Sequence, residues 1–73
     1  MRSMFTIEEV AEMMDMKPSQ VKSEIDSGNL GYSIQDGEQV VTLYDLEKYM
    51  GGQHAMKLAR EFLSRGESKT KQN

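Results

Sequence analysis

A mainly α domain carrying one small β-hairpin is what this 73-residue chain predicts. Three observations lead there. Thr6-x-x-Glu9 and Thr42-x-x-Asp45 have the spacing of reciprocal helix caps, each followed by apolar residues at helical intervals. Pro18 opens and Gly28 closes a second helical stretch. Asp36-Gly37 lies between two short alternating segments, which is a strong hairpin signal.

The elements follow in order. Thr6 caps a helix from about Ile7 to Met14, with Phe5 expected to staple onto Val10. Ile7, Val10, Ala11 and Met14 form its apolar stripe, while Glu8, Glu9 and Glu12 face away. Asp15-Met16-Lys17 is a tight connection without glycine. The next helix runs from Pro18 to about Ser27, with Val21 and Ile25 on one face because they are four apart. Leu30 folds back on its last turn. In the hairpin, Gln35 should oppose Glu38, and Tyr32, Ile34 and Val41 should share the face that meets the helices. A third helix from Leu43 carries Leu46 and Met50 inward and ends at Gly51-Gly52. Gln53 to Arg65 reads as a fourth helix closed by Gly66, and residues 67–73, which have no apolar side chain, as a disordered tail. The expected division is therefore 1–52 for the main domain, 53–66 for a C-terminal amphipathic helix and 67–73 for the tail.

Composition limits the function. The chain has no cysteine, which excludes disulfides and thiolate metal sites, and its net charge is −3. Residues 1–52 hold four Lys/Arg and ten Asp/Glu, a charge of −6; residues 53–73 hold five Lys/Arg and two Glu, a charge of +3. No apolar run is long enough to span a membrane, and the N-terminal residues lack the apolar core of a signal peptide. A cytoplasmic protein is expected. No phosphate-binding glycine loop, nucleophile with a partner base or metal-ligand cluster is present, so neither an enzyme nor a cofactor or metal requirement is expected. His54 reads as a surface residue near a helix start. The seven methionines fall mostly at core spacing, where soft side chains fill gaps.

The order helix, tight turn, helix, hairpin, short helix is the layout of a winged helix-turn-helix. Residues 5–50, FTIEEVAEMMDMKPSQVKSEIDSGNLGYSIQDGEQVVTLYDLEKYM, resemble the DNA-binding domains of the excisionase and MerR-type regulator families. The resemblance rests on the T-x-E-E-V-A opening of Thr6 to Ala11, the S-G-x-L turn of Ser27 to Leu30, the hairpin, and D-L-x-x-Y from Asp45 to Tyr49. The domain of phage terminase small subunits is a similar relative, through V-x-L-Y-D from Val41 to Asp45. The resemblance implies a sequence-specific binder of double-stranded DNA, a small transcriptional regulator or a phage or mobile-element architectural factor. Its second helix would enter the major groove and its wing would touch the flanking backbone. Carried over by position, Lys17, Ser19, Gln20, Lys22 and Ser23 would face DNA, with Gln20 reading an adenine edge and the lysines holding phosphates. Ser19 reads equally well as a support for the helix start. Gln35, Gly37 and Gln39 would form the wing, whose tip departs from its relatives in carrying Asp36 and Glu38 and no base.

That acidic tip and body keep a second class open: a protein-interaction module on the same fold that does not bind DNA. The apolar arc of the last helix, Met56, Ala59, Phe62 and Leu63, leaves two further readings. It either joins copies into a homo-oligomer or completes the core of the monomer.

Overall fold

The computed structural model describes residues 2–72, with side chains described over residues 2–66. Among the described residues the elements run β1 (Met4–Thr6), α1 (Ile7–Met14), α2 (Pro18–Asp26), β2 (Ser33–Gln35), β3 (Glu38–Thr42), α3 (Leu43–Met50) and α4 (Gly52–Gln72). The result is a small α+β fold, mostly helical, with one antiparallel sheet in the order β1-β3-β2. No helix among the described residues is long and apolar enough to cross a membrane.

The capping chemistry works as the spacing requires. The Thr6 hydroxyl accepts from the Glu9 N–H at 3.1 Å, and the Glu9 carboxylate accepts from the Thr6 N–H at 2.9 Å. Thr42 and Asp45 repeat this at the start of α3, with both bonds at 3.0 Å. Each box satisfies two donors that a helix start leaves without partners. α1 ends without glycine because Asp15 adopts the left-handed conformation at φ 55°, which aspartate tolerates better than most residues. Ile7, Val10 and Ala11 are buried as expected, but Met13 is buried in place of Met14, which is half-buried. α1 packs against α2, α4 and the sheet, so its buried arc is wider than one stripe.

Phe5, expected to staple onto Val10, shares the buried core with it and has a second role. It belongs to β1, pairs with Val41 across the sheet, and sets its ring edge-on to Phe62 with centroids 6.2 Å apart. The hairpin turns through Asp36 (φ 53°) and Gly37 (φ 81°), both left-handed as a type I′ turn demands, and Gln35 opposes Glu38. The face shared by Tyr32, Ile34 and Val41 does not meet the helices along its whole length. Val41 is fully buried, whereas Tyr32 is 48% and Ile34 61% exposed. β3 is the central strand and lies under the helices; β2 is an edge that rests chiefly on β3 and extends past them.

α4 starts at Gly52 and continues through Gly66. A lone glycine costs a helix only about 1 kcal/mol, and Gly66 does not adopt the left-handed backbone that would end it. The side chains of 67–73, expected as a disordered tail, lie outside the described residues. Ala55 and Ala59 are fully buried in the same core as Phe5, Val10, Val21, Val41 and Leu46, so α4 and residues 1–52 share one core.

Candidate nucleic-acid interface

α2 is held from both ends. At its start, Pro18 occupies the first helical position and the Gln20 carboxamide oxygen accepts from the Lys17 N–H at 2.8 Å. At its end, Ser27 caps the helix and the Gly28, Asn29 and Leu30 N–H groups bond back to the Ile25 and Glu24 carbonyls. Val21 and Ile25 anchor it in the core. Near its last turn the Tyr49 hydroxyl of α3 donates to the Glu24 carboxylate at 2.6 Å. That bond, with desolvation adding to it, raises Tyr49 above the ordinary tyrosine pKa.

This anchoring leaves Lys17, Ser19, Gln20, Lys22 and Ser23 all exposed. Ser19 and Lys22 line a cleft whose other wall is the hairpin tip, through Gly37, Glu38 and Gln39, and whose floor includes Glu8 of α1. The cleft thus brings together two of the five helix residues and two of the three hairpin residues that the sequence singles out. Lys17, Gln20, Ser23 and Gln35 are exposed but outside its lining. Electrostatically the lining holds one cation, Lys22, against two carboxylates, Glu8 and Glu38.

Gln20 differs from its expected geometry. A bidentate adenine contact needs the amide oxygen and nitrogen presented together. Here the oxygen is turned back onto the Lys17 N–H, leaving the NH₂ group as the free donor. The signal was in the sequence: Gln20 stands three residues after the cap position, where a glutamine reaches back to the cap N–H. Glu8 is expected on the outward face of α1, and nothing in its local sequence places it in the cleft. The Glu24–Tyr49 bond spans a separation of 25 residues, which no local pattern reports.

At the other end, Ala59 is fully buried and Phe62 and Leu63 pack against the core of their own chain. Met56 instead lines a groove between α3 and α4, together with Glu47, Lys57, Arg60 and Glu61. Of the two readings of this arc, completion of the monomer core accounts for Ala59, Phe62 and Leu63. Comparison of the chain with protein-family models, with curated proteins and with solved structures finds no match.

Proposed function

We propose that the chain is a small DNA-binding protein of winged helix-turn-helix type, of the excisionase and MerR-like kind, that reads double-stranded DNA with α2. The observation that carries this reading is the cleft in which the exposed polar edge of α2 faces the hairpin tip. α2 is short, firmly anchored beneath and free on its outer side, as a helix that enters a major groove has to be. Lys17 and Lys22 supply phosphate contacts, and the Gln20 NH₂ and Ser23 hydroxyl supply donors to base edges. With so few cations, affinity is low for one copy and its salt dependence shallow.

The test is a titration of DNA binding against salt. Two phosphate contacts give a slope of log K against log salt of about −2, and Lys22→Ala reduces it by about 1 across all sequences. Glu38→Arg removes a charge that repels phosphate and is expected to strengthen binding without regard to sequence. Absence of binding at low salt, with random and genomic fragments alike, overturns the reading. The second class, a protein-interaction module, is favoured by one observation: Glu8 and Glu38 outnumber Lys22 in the cleft. On that reading Glu38→Arg creates DNA binding where the native chain has none.

A further inference from the structure

α1, α2 and α3 start with the same device but not with the same chemistry. In α1 and α3 the residue three places after the cap is a carboxylate, Glu9 or Asp45, which accepts from the cap N–H at 2.9 and 3.0 Å. In α2 that residue is Gln20, whose oxygen accepts from the Lys17 N–H at 2.8 Å. The cap needs only an acceptor, which a carboxylate supplies as well. The glutamine adds an NH₂ group with two donor hydrogens.

The cap also fixes which way the carboxamide faces. A backbone N–H only donates, so the oxygen turns to Lys17 and the nitrogen turns away. The Gln20 N–H in turn donates to the Lys17 carbonyl at 2.9 Å, so backbone and side chain together tie the two residues. Gln20 is exposed, and among the described residues no acceptor engages its NH₂ group. No free carboxylate of α2 lies beside it. Glu24 accepts from the Tyr49 hydroxyl at 2.6 Å, and Asp26 is the last residue of the helix, about 9 Å further along the axis.

We infer that Gln20 is a specificity-determining residue and that the base it selects is guanine. The inference rests on the reading of α2 as the helix that enters the major groove. Base edges in that groove differ in their donors and acceptors. Guanine shows two neighbouring acceptors, N7 and O6; adenine shows N7 beside the N6 donor; thymine shows O4; cytosine shows only the N4 donor. A group that only donates meets both acceptors of guanine. On adenine it meets N7 alone and sets a donor against the N6 amino group, and on cytosine it meets no acceptor. The bidentate adenine contact that glutamine otherwise makes needs the oxygen, and the cap of α2 holds that oxygen.

Selection of duplexes from a random-sequence pool at low salt tests the inference, with the native chain and Gln20→Glu in parallel. Glutamate keeps an acceptor for the Lys17 N–H, as Glu9 does for Thr6, and turns an acceptor outward where the native side chain turns a donor. The native chain is expected to enrich sites with guanine at one position. Replacing that base with 7-deazaguanine, which lacks the N7 acceptor, is expected to weaken binding about fivefold or more. In Gln20→Glu the preference at that position is expected to move to a base with an amino group in the groove, cytosine or adenine, while urea melts without DNA match those of the native chain. Gln20→Ala is expected to lose the guanine preference and gain no other. A merely structural role for Gln20 would leave base preference unchanged in both variants. Adenine enriched by the native chain at the position these variants alter means that the carboxamide leaves the cap, and overturns the inference. A guanine preference that survives both substitutions, insensitivity to 7-deazaguanine, or binding without base preference also overturns it, and in each of these cases the DNA-binding reading stands. Binding to no duplex at all overturns both.

Discussion

At Gln20 one carboxamide serves the start of α2 with its oxygen and faces solvent with its nitrogen. Gln20→Ala is therefore expected to act twice. It leaves the Lys17 N–H without its partner, at a cost of about 0.5–1 kcal/mol visible in urea melts without DNA. It also removes a donor from the proposed reading edge. Gln20→Glu keeps the cap, and a repulsive carboxylate then separates the two effects: native stability with reduced DNA affinity. Gly31 is a second position where one atom decides. A Cβ there would meet Asp45 Oδ1 at 2.8 Å, and Asp45 is held in place by the Thr42 N–H. Gly31→Ala is expected to displace that carboxylate and weaken the α3 cap, lowering stability by about 1 kcal/mol in the same assay. Gly31→Ala combined with Thr42→Ala should then cost less than the sum of the two.

Among the elements, α4 carries the largest consequence. Phe62 meets Phe5 edge-to-face, and Ala55 and Ala59 are sealed inside, so α4 supplies a wall of the core. Phe62→Glu is expected to unfold the chain, because it places an unpaired carboxylate against the Phe5 ring. Phe62→Ala is expected to destabilise by somewhat less than the roughly 3–5 kcal/mol of a fully buried phenylalanine. Thermal melts monitored by circular dichroism check both. A folded, monomeric Phe62→Glu variant would instead return this arc to an intermolecular role. The contrast between elements shows what the sequence could and could not convey. α1, α3 and the hairpin were legible because their signals are local: two capping boxes and Asp36-Gly37 fix three boundaries and the register of Gln35 with Glu38. β1 was not legible. Met4-Phe5-Thr6 is too short to show alternation, and Thr6 ends the strand while capping a helix. The exposure of Ile34 was hidden for a related reason. Alternation assigns Ile34 to the face of Val41, but only the topology tells that β2 is an edge beyond the helices. In the cleft, Ser19, Lys22, Gly37 and Gln39 were named from the sequence. Glu8, which shares their lining, comes from a third element and has no sequence signal.

For the molecule as a whole, two bonds between elements make stability depend on pH at opposite ends of the scale. Arg2 ties β1 to α1 by pairing with Glu9, and its guanidinium also lies over the Phe5 ring, 5.0 Å from the centroid. The bond to Arg2, followed by the Thr6 N–H, holds the Glu9 carboxyl below the ordinary glutamate pKa against the opposing effect of burial. A depressed carboxyl contributes stability that is present above its unfolded pKa and is lost as pH falls through the lower folded value. Tyr49 has the opposite sign. Its folded pKa is raised, so its contribution is present below the unfolded tyrosine value and is lost as pH rises through the raised one. Between these limits both bonds stand, and the stability curve is expected to be flat there and to fall at each end. The two arms can be removed one at a time. Glu9→Gln keeps an acceptor for the Thr6 N–H but loses the charge, so the acid arm should become shallower while the alkaline arm stays. Tyr49→Phe keeps the ring and loses the hydroxyl, so the alkaline arm should become shallower while stability at neutral pH drops by about 1 kcal/mol. Urea melts across the pH range read both effects. If Glu9→Gln leaves the acid arm unchanged, the Arg2–Glu9 pair is too well solvated to matter, as many surface pairs are. The coupling of β1 to α1 then rests on the capping box and on the core that Phe5 shares with Val10 and Ala11.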